Sequence, residues 1–184
     1  MCKVLTTTAV VVAIGCFGQV AEVDGPILRI DAAQPFQVEF GRGSGWEGLD
    51  TIKLDEKGVV VLHRMKPETE GDPGGLRWET ATLQLRPAAL GEVLKAVESN
   101  GLMEMRKAYH EDIADGTQWV LWIKQGEWEK AVYFNNKFPR KIVRFAERLD
   151  AILSEANLDE AAWRPVPAGE SHRHERDLWD SIKR

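Results

Sequence analysis

Apolar and polar residues alternate in Phe36-Gln37-Val38-Glu39-Phe40. Phe36, Val38 and Phe40 therefore share one face, the mark of a half-buried strand. Gly41-Arg42-Gly43-Ser44-Gly45-Trp46-Glu47-Gly48 reads as a Gly-rich turn. Two further runs, 49–54 and 59–65, flank Asp55-Glu56-Lys57-Gly58. Gly58 can take a positive φ and close a hairpin there. Residues 66–75 are a polar Pro/Gly loop, and 76–85 are a further strand rich in Thr and Trp.

The period then changes. Pro87 opens a helix at a position where its missing N–H costs nothing. Leu90, Val93, Leu94 and Val97 follow at i, i+3, i+4, i+7, a core-facing stripe. Asn100-Gly101 stops it. Leu102-Met103-Glu104-Met105 suggests a short strand, and 108–116 a loop. The stretch 116–136 folds back at Gly126-Glu127, a pair suited to a two-residue hairpin turn. That register pairs Trp119 with Phe134, Val120 with Tyr133, Leu121 with Val132, Trp122 with Ala131 and Lys124 with Glu129. Opposite charges then face each other near the turn. Pro139 opens a second helix with Ile142, Phe145, Leu149, Ile152 and Leu153 as its apolar stripe, and Asn157 ends it. The order β-β-β-β-α-(β)-β-β-α predicts an α+β fold: an antiparallel sheet of about six strands with two helices packed on one face.

Patterning also divides the chain. Lys3, the apolar run 4–14 and the small residues after it form an export signal. Residues 1–18 are expected to be that signal, 19–34 a tether, 35–163 one α+β domain and 164–184 a polar C-terminal tail. In that tail Leu178, Trp179 and Ile182 suit a short amphipathic turn that docks on the body. Ala13-Ile14-Gly15-Cys16 resembles a bacterial lipobox, although Ala13 stands where Leu is usual. Lipidation of Cys16, cleavage after Gly18 and an uncleaved anchor all fit. The expected location is the periplasm or the membrane-anchored cell envelope, with the membrane as a partner through Cys16.

Composition narrows the function. The chain has 29 Asp+Glu against 24 Lys+Arg, a net charge of −5, which argues against a dedicated nucleic-acid binder. Both cysteines, Cys2 and Cys16, lie in the export segment. The rest of the chain therefore has no disulfide, thiol nucleophile or cysteine metal site.

The densest polar cluster is His110-Glu111-Asp112 with Asp115. An imidazole and carboxylates there suit a divalent metal or acid–base work, but Ala114 stands where His-Glu-x-x-His needs its second His. Solvation is the simpler account. His172 and His174 would share a face only in a strand, and they fall in the tail. The glycines at 41, 43 and 45 lack the Lys-Ser/Thr ending and following helix of a phosphate loop. No catalytic residue, cofactor site or metal site is assigned. The candidate binding surface is Trp122, Tyr133, Tyr109, His110, Asp112 and Asp115. If only one sheet face is covered, Trp122 and Tyr133 form an exposed aromatic patch. If the tail or tether covers the other face, they form a second small core, the arrangement expected here.

Gly-Thr-Gln-Trp-Val-Leu-Trp-Ile-Lys-Gln-Gly, the run 132–153, and a Pro-started helix ending in Glu-Ser-Asn-Gly-Leu-Met-Glu-Met together resemble a group of uncharacterised exported bacterial domains of planctomycete-like genomes. The likeness spans roughly residues 36–155 and implies no activity, cofactor or catalytic residue. The expected function is binding or assembly in the cell envelope by a non-catalytic, membrane-tethered domain. The alternatives are a metal-assisted hydrolase using 110–115 and a carbohydrate-binding module using exposed aromatics.

Overall fold

The computed structural model describes residues 34–44, 47–67, 76–113, 116–167, 169–170 and 172–183. These residues form β1 (Phe36–Ser44), β2 (Gly48–Asp55), β3 (Val59–Pro67), β4 (Leu76–Gln84), α1 (Pro87–Ser99), β5 (Ala108–His110), β6 (Thr117–Gln125), β7 (Trp128–Asn135), α2 (Arg140–Glu155), β8 (Arg164–Pro165) and α3 (Arg173–Ser181). The eight described strands make one sheet in the order β5-β7-β6-β1-β2-β3-β4-β8. All pairs are antiparallel except β5 with β7. The two edges are only three and two residues long. Short edges leave little unpaired backbone to recruit another chain.

One face carries the main core. Phe36, Val38 and Phe40 of β1 meet Leu121 and Ile123 of β6, Val132 and Phe134 of β7, and the inner stripes of α1 and α2. The expected stripe of α2 is buried in full, at Ile142, Phe145, Leu149, Ile152 and Leu153. On α1, Val93 and Val97 are buried, whereas Leu90 and Leu94 are partly so. The hairpin register of β6 and β7 is the expected one at each of its five pairs. Gly58 closes the β2–β3 hairpin with φ 77°. Asn157 follows α2 in the left-handed region, at φ 64°. Phe138 packs on Trp119 at 4.5 Å between ring centroids, fixing the entry to α2.

The expected fold class holds as an α+β fold built on a mostly antiparallel sheet, with corrections in its details. Residues 41–44 continue β1 rather than turning, because each pairs with both β2 and β6. Residues 102–105 are turns and not a strand, although Leu102 and Met105 are buried. The strand lies a few residues later: 108–110 runs parallel to β7 where a loop was expected. Eight strands and three helices replace about six and two.

The third helix is the main difference. Strand alternation places Leu49, Val120, Trp122 and Tyr133 opposite the main core, and α3 lies on that face. Its Leu178 is fully buried against Leu49 and Val120, with Trp122, Tyr133, Trp179 and Ile182 around them. The segment 164–184, read as a polar tail, thus carries β8 and α3.

Candidate functional site

β1, β2 and β3 lie side by side in the sheet interior, so both of their faces are available for cover. Their inward residues fill the main core. Their alternate positions, Glu39, Thr51, Lys53 and His63, point to the α3 side. Register brings them together: Glu39 faces Lys53, and Thr51 faces His63. Glu39 is buried and paired with the half-exposed Lys53 ammonium. Thr51 Oγ1 lies 3.4 Å from His63 Nδ1.

The start of α3 and the segment before it close this row into a cleft of about 270 Å³, adding Val166, Glu170, Arg173, His174 and Asp177. The His174 ring stacks on His63, with centroids 4.2 Å apart and planes 6° apart. The edge of Trp78 meets His174 at 4.4 Å. Both ring nitrogens of His174 are buried without a hydrogen-bond partner. The backbone of Leu49 lies near enough to favour the protonated ring, though outside hydrogen-bond geometry. Burial pushes His63 down to about 4, and the neighbouring His174 adds to the drop. Burial also lowers His174, against the opposing pull of the Glu175 carboxylate and the Leu49 backbone, with His172 adding to the drop. Both rings are therefore neutral at pH 7.

Glu175 pins the helix. It is buried, and its Oε2 accepts the Leu49 N–H at 2.9 Å. Its Oε1 lies 2.8 Å from Nδ1 of the exposed His172. His172 and His174 thus point to different partners.

The candidate binding surface does not come together as one patch. Tyr109 belongs to the core: it is 4% exposed and stacks on Phe134 at 5.5 Å. Its hydroxyl accepts the Arg106 N–H. It reads as surface in the sequence because 108–116 looks like a loop, whereas a strand at 108–110 turns it inward. His110 is exposed and accepts a hydrogen bond from Asn135 at 3.0 Å. It lies 3.9 Å from Asp112, which is fully exposed. Cys16 and Asp115 lie outside the described residues. Among the described residues, no group of three or more His, Cys, Asp or Glu is placed to hold a metal ion. Trp122 is half-buried and donates its indole N–H to Glu129 at 2.7 Å. Tyr133 sits under Trp179 at 5.9 Å, and burial raises its pKa. The aromatic face is therefore the second small core, covered by the tail.

The cleft itself was not singled out in the sequence. Its signal was there: polar residues at alternate positions of β1, β2 and β3. Those positions read as solvent-facing until the strand order shows all three to be central. In the sequence His174 stands beside His172, whereas its stacking partner His63 is far away.

No family model matches the chain, and no curated protein matches it. None of the described helices is long and apolar enough to cross a membrane.

Proposed function

We propose that this chain is a non-catalytic binding domain, exported and held at the bacterial cell envelope through Cys16. The cleft between α3 and the sheet is its ligand site. One observation carries this reading: a recess on whose sheet wall the ionisable groups are held by neighbours instead of being left free to move protons. Glu39 is paired with Lys53, and His63 with Thr51 and His174. Small-ligand pockets combine an apolar wall with a few fixed polar groups. Val166 supplies apolar wall here.

The ligand class follows from charge. Glu39, Glu170 and Asp177 face Lys53 and Arg173, with both imidazoles neutral. The carboxylate excess favours a small polar ligand bearing a cationic group. The resemblance to exported domains agrees with an envelope location, and the signal-like residues 1–18 support it.

Titration with a small alkylammonium and with the matching alkyl carboxylate tests the binding reading by amide NMR. The ammonium should shift resonances of β1, β2, β3 and α3, and the carboxylate should not. Asp177→Arg should weaken the ammonium by about five- to ten-fold, the scale of one partly screened charge. Shifts scattered over the surface, or equal for both probes, would remove the proposal. The anchor is tested separately. Palmitate labelling in a bacterial host should disappear in Cys16→Ser, and labelling that survives would refute attachment at that residue.

A further inference from the structure

We propose that the stacked imidazoles of His63 and His174 form a pH-sensitive clasp, which holds α3 on the sheet at neutral pH and lets it go on acidification. The clasp joins two elements distant in sequence: His63 on β3 and His174 on α3. Face-to-face stacking at 4.2 Å suits two neutral rings. Two protonated rings at that distance repel, and their desolvation is uncompensated. Both nitrogens of His174 are buried without a formed hydrogen bond, and the Leu49 backbone nearby offsets burial only in part, so the ring stays lowered.

The surroundings do not cancel this repulsion. From β1, Glu39 faces the cleft but is already paired with Lys53 of β2. From β4, the uncharged Trp78 meets His174. From α3 and the turn before it come Glu170, Arg173 and Asp177, one cation against two carboxylates at the open side. Glu175 attracts a proton to His174, but its two oxygens are occupied by the Leu49 N–H and by His172.

The helix is suited to release. It has nine residues, too few to persist alone in water, where about 12–15 are needed even for good sequences. Its buried apolar anchor is Leu178. The main core lies on the other face, and its described members include no residue of α3. An element with few buried contacts opens at lower free energy than the core does.

The sign is fixed by linkage. The docked state lowers both imidazoles, so the released state binds more protons as pH falls below about 6.5. Docking is therefore at full strength above about pH 6.5 and weakens as pH falls toward about 4. Each pKa unit is tenfold, so His63 alone shifts the equilibrium by up to about 300-fold.

This inference does not rest on ligand binding, and its test needs no ligand. Hydrogen-exchange protection, corrected for the intrinsic pH dependence, is measured for the full chain between about pH 7 and about pH 4.5. Amides of α3 should lose protection by at least about ten-fold and regain it on neutralisation, while β6 and β7 stay protected. The imidazole C–H signals of His63 and His174 should titrate together with that loss. His63→Phe keeps a planar ring and removes the charge, so its loss of protection should be several-fold smaller. Glu175→Gln still accepts the Leu49 N–H and should keep the pH response. Imidazoles that titrate while α3 stays protected would overturn the clasp. So would a response unchanged in His63→Phe, or one abolished in Glu175→Gln.

Discussion

Phe40→Ala is expected to lower the unfolding free energy by about 3–5 kcal/mol, the range for deleting a large buried aromatic side chain. Phe40 is fully buried in β1, a strand paired on both sides. Its ring meets Trp119 edge-on at 5.5 Å and Phe145 at 5.7 Å. Each such aromatic pair adds about 0.5–1.5 kcal/mol beyond area burial. The Arg42 guanidinium lies over the same ring at 5.4 Å, and Arg42 holds Asp150 of α2 through two hydrogen bonds of 2.7 Å. Truncation thus leaves a cavity where β1, β6 and α2 join. Against a typical total of about 5–15 kcal/mol, this loss is large enough to leave a measurable unfolded fraction. Urea unfolding measures it, with Phe40→Leu as a control expected to lose less than half as much. A loss below about 1 kcal/mol for the alanine variant would mean that the ring does not organise this junction.

Phe40 belongs to the part of the fold that was legible in the sequence. Alternation in 36–40, the α2 stripe and the β6–β7 register are local, because side-chain period and turn chemistry are carried by neighbouring residues. What escaped depends on contacts between distant residues. Tyr109 looks like a loop residue until β5 pairs with β7. Glu39, Thr51, Lys53 and His63 look solvated until the order β6-β1-β2-β3-β4 makes their strands central. Gly41 suggested a turn, yet it lies within β1, where its missing side chain makes room for α3. His63 and His174 lie far apart in the sequence, on β3 and α3, and no spacing rule reaches that far. Export and tethering through Cys16 rest on sequence pattern alone, since residues 1–33 lie outside those described.

The contact at Gly41 leads to the second large effect. Leu178→Asp is expected to free α3 while leaving the rest of the domain folded. A Cβ on residue 41 would lie 2.7 Å from Leu178 Cδ2 and 3.0 Å from Leu49 Cδ1, so the leucine fits because position 41 is glycine. Burying a leucine side chain contributes about 1.5–3 kcal/mol, and the substitution removes that gain. It also asks a carboxylate to enter a pocket formed by Leu49 and Val120, which costs several kcal/mol more without a partner. A nine-residue helix has little stability of its own to set against that sum. Undocking is the cheaper response, and it returns the carboxylate to water. Exchange protection across α3 should fall by at least about 100-fold, near the 2.8 kcal/mol that two decades represent. The Tyr133 hydroxyl, raised by burial, should return toward its ordinary value once Trp179 leaves it. The main core, built on the other face by α1 and α2, should melt within a few degrees of the wild type. If α3 and the core lose stability together, the helix is part of one cooperative unit and the separation of the two faces fails. If α3 protection does not change, Leu178 is not its anchor.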